Sequence, residues 1–194
     1  MSLTSASLLE RLAHPEDEQA WRRLVDLYAP LLNGWLSRQG LQASDADDLV
    51  QDVLMVVVRE LPGFEHNHRP GAFRNWLRTI LSNRVRAFWK ARRHQPLATG
   101  SSEFAGTLEQ LADDQSGLSR LWDDEHNRHI VNRLLEQIRN QVAPNTWLAF
   151  CKVALEGKSE EAVAAELGMS VNAVFIAKSR VLKRLRQEGR GLID

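Results

Sequence analysis

At 194 residues, with 43% apolar and 26% charged side chains, the chain can bury one sizeable core or two small ones. Lys plus Arg balances Asp plus Glu at 25 each, and taken alone that neutrality argues against a nucleic-acid binder. The single cysteine, Cys151, excludes an internal disulfide, and no run approaches the roughly 20 apolar residues of a membrane span.

The charge is segregated. Eight Lys or Arg stand against Glu65 between Phe64 and Arg93, while seven acids stand against Arg120 between Leu97 and Glu125. From Lys178 to Arg190 six bases face Glu188. Two cationic surfaces joined by an anionic connector are expected, and solvated helix faces are the bland alternative for each block. A cytoplasmic location without membrane insertion is expected, and Phe150, Val153 and Leu155 around Cys151 point to an inert thiol.

Helical periodicity dominates, and no sustained alternation predicts strands. Residues 1–14 form an N-terminal extension with no assigned role. A helix is expected from about Pro15, with Trp21, Leu24, Val25, Leu27, Tyr28, Leu31, Leu32 and Trp35 inward and Pro30 kinking or splitting it. Ser44 is expected to cap a second helix whose acidic first turn suits the helix dipole, ending at Pro62-Gly63. A loop rich in His, Asn and Arg, Phe64 to Gly71, leads to a long helix over about 72–93. Phe73, Trp76, Leu77, Ile80, Leu81, Val85 and Phe88 are spaced for its apolar face. These elements make one domain, 15–95.

Residues 96–117 turn to Gln, Pro, Thr, Gly, Ser and acids, a flexible acidic linker. A second helical domain, 118–190, follows. It has Leu121, Trp122, Ile130, Val131, Leu134, Leu135 and Ile138 on a first helix, a break at Pro144, and a helix from Asn145 to Glu156. Ser159 then caps a short helix that stops at Gly168, and Ser170 caps a longer one to about Gln187. Small Ala164 at the crossing, with Val163, Leu167, Val174 and Ala177 inward, predicts a helix-turn-helix, an ordinary basic hairpin being the alternative. Its second helix would offer Val171, Asn172, Ala173, Phe175, Ile176, Lys178 and Ser179 to base edges, with Lys183, Arg184 and Arg186 at phosphates.

Asp45-Ala46-Asp47-Asp48-Leu49-Val50-Gln51-Asp52, then the Phe64 loop, then Phe73-Arg74-Asn75-Trp76-Leu77-Arg78-Thr79-Ile80-Leu81-Ser82-Asn83, resembles the second region of the extracytoplasmic-function sigma factors. The helix-turn-helix resembles their fourth region, and the stretch from Met169 to Val181 is similar to variants of planctomycete bacteria. The resemblance implies an all-α fold of two small helical domains joined by the acidic linker. It also implies a transcription initiation factor without catalytic residues, metal or other cofactor. Its partners would be promoter DNA and bacterial core RNA polymerase, through the clamp helices of the largest subunit and the flap region. An anti-sigma factor is a further partner the family allows.

Residue by residue, Asp48, Leu49, Gln51 and Asp52 would dock on the polymerase. Phe64, Asn67, His68, Arg69, Asn75, Trp76, Arg78, Asn83 and Arg84 would hold the −10 element, the loop taking a flipped base. Val171, Asn172, Ala173, Phe175, Ile176, Lys178, Ser179 and Lys183 would read the −35 element. Phe175-Ile176-Ala177 stands where the family has a Lys-Ser-Arg triplet, which opens an apolar contact to thymine methyls.

Other readings attach to the same residues. Trp76 is spaced with Phe73 and Ile80 as a core residue would be. His66 and His68 form a metal-like pair without a third ligand. Asp45, Asp47, Asp48 and Asp52 resemble a two-metal phosphodiesterase cluster. A stand-alone repressor would carry the same helix-turn-helix, binding a palindromic operator without polymerase.

Overall fold

The structure, a computed structural model, describes residues 7–14, 16–64, 71–92, 110–111, 113 and 115–193. The loop at Asn67, His68 and Arg69, the His66 and His68 pair and most of the acidic linker lie outside the described residues. The long helices below follow from one repeated device, apolar side chains three and four residues apart buried along a single stripe.

Helix α1 spans Leu8–Leu12 and α2 spans Glu18–Arg38. Asp17 caps α2, its carboxylate accepting the Ala20 N–H at 2.9 Å. Arg11 grips the same carboxylate through two bonds of 2.9 Å, fastening α1 to the start of α2. The Arg11 hydrogen bond, helped by the Ala20 N–H, holds the Asp17 carboxyl at about 2. Leu8 and Leu12 are buried, so one face of α1 belongs to the core, which the sequence did not disclose. Pro30 lies inside α2 without dividing it.

Helix α3 spans Ala43–Glu60, and a single 3-10 turn, Leu61–Gly63, closes it. Gln42, not Ser44, is its N-cap, with no side-chain bond. Ser44 falls within the first turn, two residues past the cap position, too late to satisfy the first backbone N–H groups. Helix α4 spans Ala72–Arg92. The α3 face of Leu49, Val53 and Val57 and the α4 face of Phe73, Leu77, Leu81 and Val85 are buried with Leu24, Leu27, Leu32 and Trp35 of α2.

Helix α5 spans Gly117–Arg139. The fold divides into two units, Leu8–Ile130 forming the bulk of one and Val131–Arg190 the bulk of the other. The expected division at residue 118 is thus displaced to 130, because the first half of α5 is core of the first unit. Trp122 and His126 are fully buried there. The Trp122 ring meets Trp35 edge-on at 5.7 Å. The Tyr28 hydroxyl and His126 Nε2 share a hydrogen bond of 3.2 Å, and His129 Nε2 lies 2.8 Å from the Leu27 carbonyl oxygen. Burial pushes the Tyr28 phenol well above its ordinary value, so it stays a neutral hydroxyl.

In the second unit α6 spans Pro144–Phe150, with Pro144 at its first turn, and continues as a π-helical segment over Cys151–Leu155. Helix α7 spans Glu160–Leu167 and α8 spans Val171–Glu188. No strand is assigned among the described residues, so the fold is all-α.

Trp122 tests the displaced boundary. Trp122→Ala in the full chain should lower the stability of the first unit by about 3–5 kcal/mol, the usual loss for truncating a buried Trp. Denaturant unfolding followed by fluorescence would reveal it. A loss confined to the helix-turn-helix unit would return the first half of α5 to the second unit.

Candidate nucleic-acid and polymerase interfaces

Helix α4 sorts its residues by face. Phe73, Arg74, Leu77, Arg78, Leu81 and Val85 are buried, while Thr79, Asn83, Arg86 and Lys90 are exposed and Asn75 is half-buried. The outward set recurs every three or four residues, so it forms one stripe of amides, a hydroxyl and cations along the helix. The Thr79 hydroxyl donates to the Asn75 carbonyl at 2.9 Å, turning inward along the stripe.

Arg78 is 3% exposed and Arg74 9% exposed, so neither lies on that stripe. Asp123 of α5 lies 3.0 Å from Arg74 Nε and 3.4 Å from Arg78 Nη1, and Arg74 Nη1 donates to Asn127 at 3.0 Å. Arg78, expected at DNA, is placed in the interior with its charge answered by α5. Gly71 fits this arrangement, with φ of +72°, and a Cβ there would stand 2.6 Å from the Arg74 guanidinium.

Phe64 and Trp76 meet at the base of the loop, with ring centroids 4.8 Å apart. Phe73 lies 5.6 Å from Trp76 and 6.0 Å from Phe64. Tyr28 joins the cluster, 5.5 Å from Phe73. Trp76 is half-buried, so one side packs in this cluster and the rest reaches the surface beside Asn75.

On α3, Asp48, Gln51, Asp52, Met55 and Val58 are exposed, Met55 at 69%, whereas Leu49 is buried. A shallow groove of about 620 Å³ runs along Gln51, Asp52, Met55 and Val58, and Arg59 and Arg84 also line it. Arg84 therefore belongs with the α3 surface rather than with the α4 stripe. Asp45 is bonded by Arg92 at 2.6 and 2.5 Å, and Asp47 by the Asn33 amide at 2.5 Å. Two of the four acids thus serve the fold, leaving Asp48 and Asp52 outward. Among the described residues no three His, Cys, Asp or Glu gather as metal ligands would.

The α7–turn–α8 segment bends by 105°, within the range of a helix-turn-helix. Ser159 accepts the Ala162 N–H at 3.2 Å and Ser170 the Ala173 N–H at 3.1 Å, capping both helices. Gly168 takes the left-handed conformation that ends α7, with φ of +63°. Val163, Ala164, Val174 and Ala177 form the seam with Ala149. Val181 packs with Ile138 and Phe150 below it.

Outward on α8 lie Val171, Asn172, Phe175 and Ile176, then Arg180, Lys183 and Arg186; Ala173 and Ser179 are half-buried. Lys178 is ion-paired with Glu160 of α7 and lies 5.7 Å from the Phe175 ring centroid. Lys152 and Lys158 bind Glu166 at 2.6 and 3.1 Å, the Lys152 bond holding its carboxyl below the usual range. Burial, with Glu156 nearby, pushes the Cys151 thiol up, away from thiolate chemistry. Thr79, Arg86, Lys90, Met55 and Val58 are surface residues that sequence reasoning did not single out. Their signal is the helical offset from Asn75, Asn83, Asp48 and Gln51.

Residues 24–95 match the family model described as Sigma-70 region 2. The RNA polymerase sigma factor CarQ of Myxococcus xanthus is 29% identical over 170 residues, covering 88% of this chain and 89% of that protein. The ECF RNA polymerase sigma factor SigD of Mycobacterium tuberculosis is 27% identical over 179 residues, covering 92% of this chain and 78% of that protein.

The two faces of α4 separate by mutation. Arg78→Met, which leaves Asp123 with Arg74 alone, should lower stability by about 1–2 kcal/mol while the folded fraction keeps its DNA affinity. Asn83→Ala should do the reverse, leaving thermal unfolding within about 0.5 kcal/mol of the parent. Equal loss of DNA binding in both would put Arg78 on the nucleic-acid face.

Proposed function

Because the chain belongs to the extracytoplasmic-function sigma factors, the RNA polymerase subunits that direct transcription initiation, we propose a division of that work among its three surfaces. The exposed face of α3, with Asp48 and the groove residues Gln51, Asp52, Met55 and Val58, docks on core polymerase. Its acids suit a cationic partner, and its exposed Met and Val give the interface an apolar centre. The α4 stripe, with Asn75, Asn83, Arg86 and Lys90, follows the separated −10 strand, next to Phe64 and Trp76 at the root of the loop. Helix α8 reads the −35 element as duplex. The chemistry of RNA synthesis belongs to the polymerase.

The sorting of α4 carries this reading. A helix with hydrocarbon and paired arginines inward, and amides and cations in one outward line, matches the needs of a single-strand track. Cations meet phosphates while amides and an adjacent aromatic cluster meet bases.

Run-off transcription with sigma-free core polymerase on a library of upstream fragments tests the whole. Transcripts dependent on this protein and sharing a two-part upstream motif are expected. Tight operator binding without polymerase, and no transcript, would favour a stand-alone repressor instead. With the same promoters, Arg86→Ala combined with Lys90→Ala should weaken binding for all sequences alike. The plot of log affinity against log salt should flatten by about 0.7 for each single-strand phosphate that is no longer neutralised. An unchanged slope would remove those two residues from the track.

A further inference from the structure

The first two turns of α8 carry little that can hydrogen-bond a base edge. Val171, Phe175 and Ile176 are 42%, 51% and 46% exposed, and Phe175 is the only aromatic side chain in the exposed class among the described residues. These three are not displaced core residues, because the seam is already filled by Val174, Ala177 and Val181, at 0%, 4% and 0% exposure. Lys178, the nearest cation, is drawn back by Glu160 of α7. Its ammonium also lies by the Phe175 ring, which steadies that side chain in its outward position. Asn172 is left as the one outward polar side chain of these turns, flanked by Phe175 and Ile176.

Hydrocarbon held at the N-terminal end of a recognition helix has one match in the major groove, the C5-methyl group of thymine. The surroundings favour DNA over a protein partner for this apolar face. Arg180, Lys183 and Arg186 are exposed on the following turns of the same helix, where they would meet backbone phosphates on both sides of the bases.

We propose that Phe175 and Ile176 set the −35 specificity of this chain by packing on thymine methyls, with Asn172 reading an adenine between or beside those thymines. The proposal rests on the assignment of α8 to the −35 element. An amide can bond the N6 and N7 edge of adenine through two hydrogen bonds, and the flanking side chains then distinguish thymine from cytosine by the methyl alone. Each methyl covered is worth about fourfold in affinity.

The test begins with the −35 sequence selected by holoenzyme from a randomised promoter library. Single deoxyuridine-for-thymidine replacements, which remove only the methyl, are then made at each selected thymine. Holoenzyme affinity should fall about fourfold at two of those positions. Phe175→Ala should lose the same factor on the parent promoter and become indifferent to deoxyuridine at one of them, Ile176→Ala at the other. Both side chains are exposed, so circular dichroism should show unchanged helix content in each variant. A selected −35 element without thymine, or deoxyuridine tolerated by the parent protein, would overturn the proposal. So would Phe175→Ala lowering affinity for core polymerase while leaving promoter binding intact, since the apolar face would then meet protein. If holoenzyme protects no upstream element at all, the assignment of α8 itself fails, and the proposal falls with it.

Discussion

Asp123 and Asn127 of α5 meet two guanidinium groups that α4 has drawn out of water, those of Arg74 and Arg78. A buried cation without a partner is among the costliest features a small domain can contain, so this pairing fixes which way α4 is turned about its axis. With Arg74 and Arg78 inward, the helical repeat leaves Asn75, Thr79, Asn83, Arg86 and Lys90 outward. Turned by one residue, the helix would bury amides without partners and expose Phe73 and Leu77. The outward stripe of α4 thus depends on residues some fifty positions away in the chain. Trp122 and His126 hold them there by filling the hollow between Trp35 and Tyr28.

A different economy shapes the helix-turn-helix. Its short first helix has too few residues to be stable by itself, and it depends on Ser159 at one end and left-handed Gly168 at the other. The pair Lys178 and Glu160 ties the two helices together across the turn. One consequence is chemical as well as structural. Once Lys178 serves the hinge, the first two turns of α8 are left with hydrocarbon and a single amide. Stability of the motif and the chemistry that its first two turns present outward are therefore set by the same ion pair.

Much of this was legible in the sequence because it is local. Periodicity placed α2, α3, α4 and α8, and the Ser-to-helix and helix-to-Gly signals placed the ends of α7 within a residue. The failures have physical causes. Ser44 looks like a cap by type, but a cap must also sit just before the first helical residue, and Gln42 occupies that position. Residues 8–12 are too short for a periodic pattern, yet Leu8 and Leu12 have somewhere to be buried once Arg11 finds Asp17. The change of composition near residue 118 is real, but a boundary in composition is not a boundary in packing. Nothing local told Arg78 from Arg86, since spacing identifies a face and only a distant acid reveals which cation is turned inward.

The overall neutrality of the chain, which argued against nucleic acid at the start, acquires a structural reading on the same grounds. Asp45 answers Arg92, Asp123 answers Arg74 and Arg78, Glu125 answers Arg38, Glu160 answers Lys178, and Glu166 answers Lys152 and Lys158. Many of the acids are thus occupied between or beside helices, and the least exposed pairs, those of Asp123 with Arg74 and Arg78, matter most to the fold. The cations at Lys90, Arg180, Lys183 and Arg186 stand at the surface. Charges paired within a few ångströms cancel at the range over which a phosphate chain is sensed, about a Debye length, while surface cations in a row do not. A chain of zero net charge can therefore present cationic surface, because several of its acids are engaged with cations between its helices.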